Sequence, residues 1–195
     1  MKSAILFSMI VCLMACQGQV NSGATADLKG YTTSIDNGST VTRATKVNAA
    51  GDLIEQGFVS GGKRNGVWLT YYEGDNAGKI KTLASYSDGL LSGPYLEFSN
   101  RGQIETEVNY ANNNYHGKFA KYKFGRVVSE SNYNNNMLDG LLKEYDDRGK
   151  LHKEITYKNG KQDGIMRYFN EEGEVTLEYV YKDGKKVSGG IVNDK

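Results

Sequence analysis

The residues best suited to chemistry in this chain are acids at a fixed interval. Glu107, Glu130, Glu154 and Glu178 follow one another at steps of 23, 24 and 24 residues. Two carboxylates ~6.5–9.5 Å apart could serve as the acid and base of an inverting glycosidase. A closer set could hold a cation. The repetition argues against both. Identical acids on every second strand stand about 9–10 Å apart, too far for two to chelate one ion directly. They also share one environment, so nothing raises one pKa over another. The column therefore reads as a solvated acidic row, balanced by cations such as Lys121, Lys143 and Arg167 on neighbouring strands. A strip for a cation or basic partner is the competing reading. The two histidines add little. His116 precedes Gly117 where other units carry Asn65, Ser92, Asp139 and Asp163, a turn position, and His152 lies on a polar face beside Glu154. Two Cys and two His make neither a zinc framework nor a disulfide scaffold, and no Gly-x-Ser-x-Gly, phosphate loop or metal-spaced cluster occurs. The expectation is a non-enzyme with no cofactor and no metal.

The elements that must position these acids come from a repeat. A Tyr closes each unit (Tyr86, Tyr110, Tyr133, Tyr157, Tyr181) and a Gly marks its middle (Gly78, Gly102, Gly125, Gly149, Gly173), both at steps of 24, 23, 24 and 24. A third register opens each unit: Gly66, Gly93, Gly117, Gly140, Gly164, its first step lengthened to 27 by an insertion at Glu73–Gly78. Three registers with one period mean a repeat architecture. Within a unit, Leu141–Tyr145 reads as a strand, Asp146–Gly149 as a turn, Leu151–Tyr157 as a second strand and Lys158–Lys161 as another turn. The second strand alternates, with Ile104, Thr106, Val108 and Tyr110 on one face and Glu107 on the other. The first strand carries a large apolar residue two after its Gly (Trp68, Tyr95, Phe119, Leu142, Met166). It carries an aromatic five after (Tyr71, Phe98, Tyr122, Tyr145, Phe169). These offsets fall on opposite faces unless a bulge re-aims one row.

The pattern Gly-x-large-x-x-(Tyr/Phe), then Gly-x-aliphatic-x-x-Glu-x-x-Tyr-x-x-Gly, resembles the MORN repeat, in its slightly longer bacterial MORN-variant form. The resemblance covers roughly residues 58–189, with Asn113 and Asn136 where other units have Gly89, Gly160 and Gly184. Asn tolerates the left-handed conformation such a turn needs. The family implies an all-β fold: an elongated, single-layer antiparallel sheet of stacked hairpins, about 50 Å long for ten or more strands. Bacterial proteins of this family are often labelled antitoxins, which implies a tight protein partner.

The N-terminus reads as an address. Ala4–Met14 is apolar except for Ser8, too short for the ~20 residues of a membrane-spanning helix. It ends in Leu13-Met14-Ala15-Cys16, which resembles the lipobox of bacterial lipoproteins; the resemblance implies cleavage before Cys16 and acylation of that cysteine. The expected organisation is a signal peptide over 1–15, a flexible tether over 16–48 with a hairpin around Asn37-Gly38, and a repeat domain over 49–195. Cleavage removes Lys2 and leaves 23 basic and 23 acidic residues. This neutral balance excludes a nucleic-acid partner driven by bulk charge.

The function expected is that of a non-catalytic lipoprotein of the bacterial cell envelope, at the outer membrane or cell surface, held to the membrane through Cys16. Its repeat sheet acts as a protein-interaction scaffold. The rivals are an antitoxin-like protein and a glycan-binding module. The candidate binding surface is the two aromatic rows, Trp68, Tyr95 and Phe119 with Tyr71, Phe98, Tyr122, Tyr145 and Phe169.

Overall fold

The turns dictate the sheet. At Gly61-Gly62, Asp88-Gly89, Asn112-Asn113, Asn135-Asn136, Asn159-Gly160 and Asp183-Gly184, both residues of a two-residue turn have positive φ. That geometry matches the right-handed twist of the flanking strands and closes a tight hairpin. On the opposite edge most loops are longer. There the side-chain oxygen of Asn48, Ser99, Asp146 or Asn170 accepts backbone N–H groups two and four residues ahead.

A computed structural model describes residues 23–192. Its strands are β1 (Thr32–Ile35), β2 (Thr42–Val47), β3 (Leu53–Ser60), β4 (Lys63–Tyr71), β5 (Ile80–Ser87), β6 (Leu90–Phe98), β7 (Ile104–Ala111) and β8 (Asn114–Lys123). They continue with β9 (Arg126–Asn134), β10 (Met137–Leu138), β11 (Gly140–Tyr145), β12 (Leu151–Lys158), β13 (Lys161–Phe169), β14 (Val175–Lys182) and β15 (Lys185–Ile191). All belong to one open antiparallel sheet in chain order, with the short β10 pairing only with β9 along the edge. The all-β, single-layer hairpin architecture expected from the repeat is the one observed. The insertion folds into a single 3-10 turn, Gly74–Asn76.

Each opening Gly sits at a bulge. The register shifts between Ala84 and Tyr86 and between Val108 and Tyr110, where β6 and β8 carry two extra residues around Gly93 and Gly117. Both glycines have positive φ, which a side chain would strain. His116 therefore lies inside β8 rather than in a turn, because the bulge lets the strand run on through Gly117. The bulge does not move the aromatics two and five after the Gly onto one face. Trp68, Tyr95, Phe119, Leu142 and Met166 share a tyrosine face with the closing tyrosines. Tyr122 and Tyr145 bond to Glu107 and Glu130 on the other, the glutamate face.

The turn edge is laced together. Asn113 donates its N–H to the Leu91 carbonyl, and its side-chain oxygen accepts the Leu91 N–H at 2.7 Å. Asn136 makes the same pair with Tyr115. Gly89, Gly160 and Gly184 make only the backbone half, to Arg64, Leu138 and Gln162. Asn in place of Gly thus adds a bond between successive units as well as tolerating the turn.

The stretch expected to be a flexible tether behaves otherwise from Gly23 on. Gly23 donates to the Asp88 carbonyl and Ala26 to the Gly62 carbonyl. Ala26, Leu28 and Tyr31 pack on the cluster of Ala44, Val59 and Trp68. The expected hairpin then forms as β1 and β2, and β2 pairs with β3, so the sheet begins at Thr32 and not near residue 49. Covering the Trp68 cluster removes apolar surface from water, which is the force that fixes this strap. The expected signal segment and Cys16 lie outside the described residues.

Candidate functional site

The strand register turns the glutamate column into one cross-strand row. It reads Leu69, Leu83, Leu96, Glu107, Ala120, Glu130, Lys143, Glu154, Arg167, Glu178 and Gly190, one residue per strand from β4 to β15 with the short β10 skipped. Neighbours in such a row stand about 4.5–5.5 Å apart and interact directly. The first three are apolar. From Glu130 onward acids and bases alternate.

The acids in this row are partnered. Arg167 holds Glu178 at 2.8 Å and Glu154 at 3.5 Å, and Lys143 lies 3.6 Å from Glu130. Lys143 and Arg167 are the counter-ions expected from sequence. Lys121 is not. It pairs with Thr106 and Ser129, and its ammonium lies over the Phe119 ring on the tyrosine face. Ala120 occupies the register position beside Glu107, so Glu107 finds Lys118 instead, at 2.8 Å. The Tyr122 hydroxyl donates to the same carboxylate at 2.7 Å, and the Tyr145 hydroxyl donates to Glu130 at 2.6 Å.

These contacts set the protonation states. The Lys118 ammonium holds the Glu107 carboxyl below its ordinary value, with Tyr122 assisting, and Glu107 in turn raises Lys118. Burial, then the Glu130 hydrogen bond, pushes Tyr145 up to about 12. Glu178 raises Arg167. Every shift favours the state already present near neutrality. A row of neutralised acids and protonated phenols offers no proton acceptor or donor poised near pH 7.

The tyrosine face carries most of the core, Ala120 in the glutamate row being a buried exception. Its central row is Trp68, Ala84, Tyr95, Val108, Phe119 and Ser131 in the first half, then Leu142, Ile155, Met166 and Tyr179. Trp68 is 2% exposed. Its indole N–H donates to the Phe58 carbonyl at 2.9 Å, the Arg64 guanidinium lies 4.1 Å from its ring centre, and Tyr31 and Tyr86 meet it edge-on. Gly57 makes the room, since a Cβ there would fall 2.1 Å from the indole. Trp68 is therefore a core residue, not part of an open strip. Tyr95, Tyr110, Tyr115, Phe119 and Tyr133 form a chain of tilted and edge-to-face contacts at 5.1–5.9 Å. Burial pushes Tyr95 up to about 12 and raises Tyr110 and Tyr133.

The second aromatic row lies on the glutamate face. Tyr122 and Tyr145 spend their hydroxyls on the acids. Tyr71 accepts from the Gln56 amide. Phe98 and Phe169 end their strands half-buried, opposite Ile104 and Val175. Beside this row Phe58 and Val67 are exposed in the first half and Leu141 in the second. Both histidines are exposed on their strands, His152 meeting Tyr168 edge-on. Among the described residues no group of three or more His, Cys, Asp or Glu is placed to hold a metal ion, and no helix is long and apolar enough to cross a membrane.

Sequence reasoning missed Phe124. It is 72% exposed at positive φ. Its signal was present: the distance from opening Gly to middle Gly is 8 residues in this unit and 9 in the next two, so its loop is one residue short.

The geometry has relatives at the level of the repeat. A family model described as "MORN repeat variant" matches residues 138–159, which span β11, the Asp146 loop and all of β12. No curated protein is a significant match to the chain. Among solved structures, a mutant of TarM from S. aureus aligns at 10% identity and a second TarM structure at 11%. In each the TM-score is 0.29, and the alignment covers 83% of this chain and 22% of TarM. The chain spans about a fifth of the length of those proteins, and a likeness that weak carries no argument.

Proposed function

We propose that this chain is a non-catalytic, lipid-anchored scaffold of the bacterial cell envelope that binds a protein partner across its glutamate face. The observation that supports this is one open face whose central row runs from leucines to alternating ions. Its apolar half, with Phe58 and Val67 exposed beside Leu69, Leu83 and Leu96, supplies surface to bury. Its ionic half supplies register and selectivity at little cost, because the charges are already paired. Acylated Cys16 holds the sheet at the membrane through the few residues before Gly23. Two acyl chains anchor stably, at about 0.8 kcal/mol per buried methylene.

The test is in-cell crosslinking of the tagged full chain, with Val67→Arg as the control. One protein recovered near stoichiometry, and lost with Val67→Arg, supports the scaffold. Equal recovery with both moves the interface off this face. Cys16→Ala should release the protein from membranes and abolish palmitate labelling; retained labelling refutes the anchor.

A glycan reading finds less support. Sugar rings stack on open aromatic faces, and the rings of the tyrosine face spend theirs on one another. An antitoxin would use the same surface, so the identity of the captured partner and rescue from its lethality separate the two.

A further inference from the structure

The loop edge carries one residue that breaks the pattern. Lys123 pairs with Arg126 across a two-residue turn in which Phe124 has φ +52° and Gly125 φ +77°. At the other six two-residue turns with positive φ at both positions, the first residue is Gly, Asp or Asn. Those types tolerate the left-handed region; a bulky aromatic there is an outlier. Phe124 gains nothing visible in return, being 72% exposed. Strain maintained without packing is a mark of a binding position.

Its surroundings form a site. Phe124 is a ridge between two clefts. One, of 320 Å³, includes Ile104, Tyr122, Arg101 and Gln103. The other, of 240 Å³, includes Val128, Arg126 and Asp147. Each is large enough for one side chain. On the second side Lys123 holds Asp147 at 3.3 Å and Arg126 donates to the Asp147 backbone carbonyl at 2.9 Å. On the first side Arg101 makes no ion pair among the described residues. A ligand here meets Ile104 and Tyr122 on one side of the Phe124 ring, with Arg101 and Glu105 at that cleft, and Val128 on the other side, with Arg126 beside it.

We propose that this double cleft binds a protein segment that straddles Phe124, with an apolar side chain in each cleft and a carboxylate on Arg101. The proposal deepens the scaffold reading by giving the partner a second, separate contact. The placement favours protein over lipid. Gly23 leaves the sheet at the Asp88 turn, on the edge opposite Phe124. The ten residues of β8 put about 30 Å between the two edges. A chain tethered near Gly23 presents Phe124 away from its anchor.

The experiment places a benzophenone amino acid at position 124 of the full lipidated chain, with Glu172, exposed on the same edge two units away, as the control position. The crosslinked peptide is identified and synthesised. It is then titrated against the wild type, Phe124→Asn and Arg101→Glu. The expected peptide carries apolar residues flanking an Asp or Glu. Phe124→Asn should weaken it at least 20-fold while raising the melting temperature by about 2–4 °C, because Asn relieves the turn. Arg101→Glu should weaken it at least fivefold, with less salt dependence remaining. Adducts to lipid or to a second copy of the chain overturn the proposal, as do equal adducts at Glu172. A threefold or smaller change with Phe124→Asn overturns it too. So does a lowered melting temperature for Phe124→Asn, which would make Phe124 a structural residue. A partner captured through Val67 that still binds Phe124→Asn fully leaves the scaffold standing and removes this site alone.

Discussion

Leu69, Leu83 and Leu96 hold the same row of the same sheet as Lys143, Glu154 and Arg167. The backbone around both triplets repeats: opening bulge, alternating strand, two-residue turn. Only the side chains differ, and with them the means of holding neighbouring strands. In the first half the row buries carbon, and the opposite face is packed around Trp68 under the strap from Gly23 to Tyr31. In the second half the row pairs charges, and among the described residues no strap crosses the tyrosine face above Ile155 and Met166. The repeat needs its turns and bulges to keep its shape, and almost any complementary ladder will fill the rows between them. Energies should therefore differ sharply between halves that look alike. Burial stabilises by about 25 cal/mol per Å², whereas half-exposed ion pairs contribute roughly 0–1 kcal/mol each.

The largest test removes the centre of the first half. Trp68→Ala should cost about 3–5 kcal/mol in a urea titration, as other buried aromatics do on truncation. A loss below ~1 kcal/mol would mean that the first half, like the second, stands on its turns. A pH titration is an intermediate test and samples both halves. Burial pushes Tyr31 in the first half and Tyr145 in the second up to about 12, each with help from a glutamate. A folded-state value above the unfolded one, about 10, means stability that is complete below pH ~10 and lost as pH rises toward 12. Phenolate absorbance should thus appear together with unfolding, and Tyr31→Phe and Tyr145→Phe should each widen the alkaline range. Phenolate formed near pH 10 with the circular dichroism of the folded sheet intact would contradict this. The smallest effect belongs to the ionic ladder. Glu154→Gln should cost under ~1 kcal/mol and vanish in molar salt. Glu107→Gln should remove an acid-labile contribution, because a carboxyl depressed by Lys118 stabilises above the ordinary carboxylate range and ceases to as pH falls through its lowered value. A loss from Glu154→Gln as large as that from Trp68→Ala would erase the contrast between the halves.

The contrast was partly legible in the sequence. Period, turn positions and the opposite faces of Trp68 and Tyr71 all follow from spacing, because a strand alternates and a tight turn names its residues. Glu107 shows where spacing stops. Its counter-ion follows from Ala120 standing in the register position, and that alignment is set by a bulge whose residue count sequence does not fix. The strap was illegible for another reason. Gly23 and Ala26 bind through their backbones, so no side-chain pattern marks them. The core role of Trp68 depends on Gly57 eleven residues away, a missing side chain rather than a present one. Phe124 was hidden behind the period, since a shortfall of one residue looks like noise until the turn's φ is known.

The chain order of the strands has a consequence for how the protein is made. From β2 to β15 every neighbour in the sheet but one is the next strand in the sequence, and the exception skips only the two-residue β10. A chain emerging N-terminus first during synthesis can zip each hairpin as it appears, without waiting for a distant partner. Strand β15 departs from the pattern. Gly189 and Gly190 fall where other units carry core and row side chains, and the Lys186 ammonium lies 3.6 Å from the centre of the Tyr179 ring. That lysine sets a positive charge over the tyrosine face beside β15, where a flat apolar edge would invite pairing with another chain.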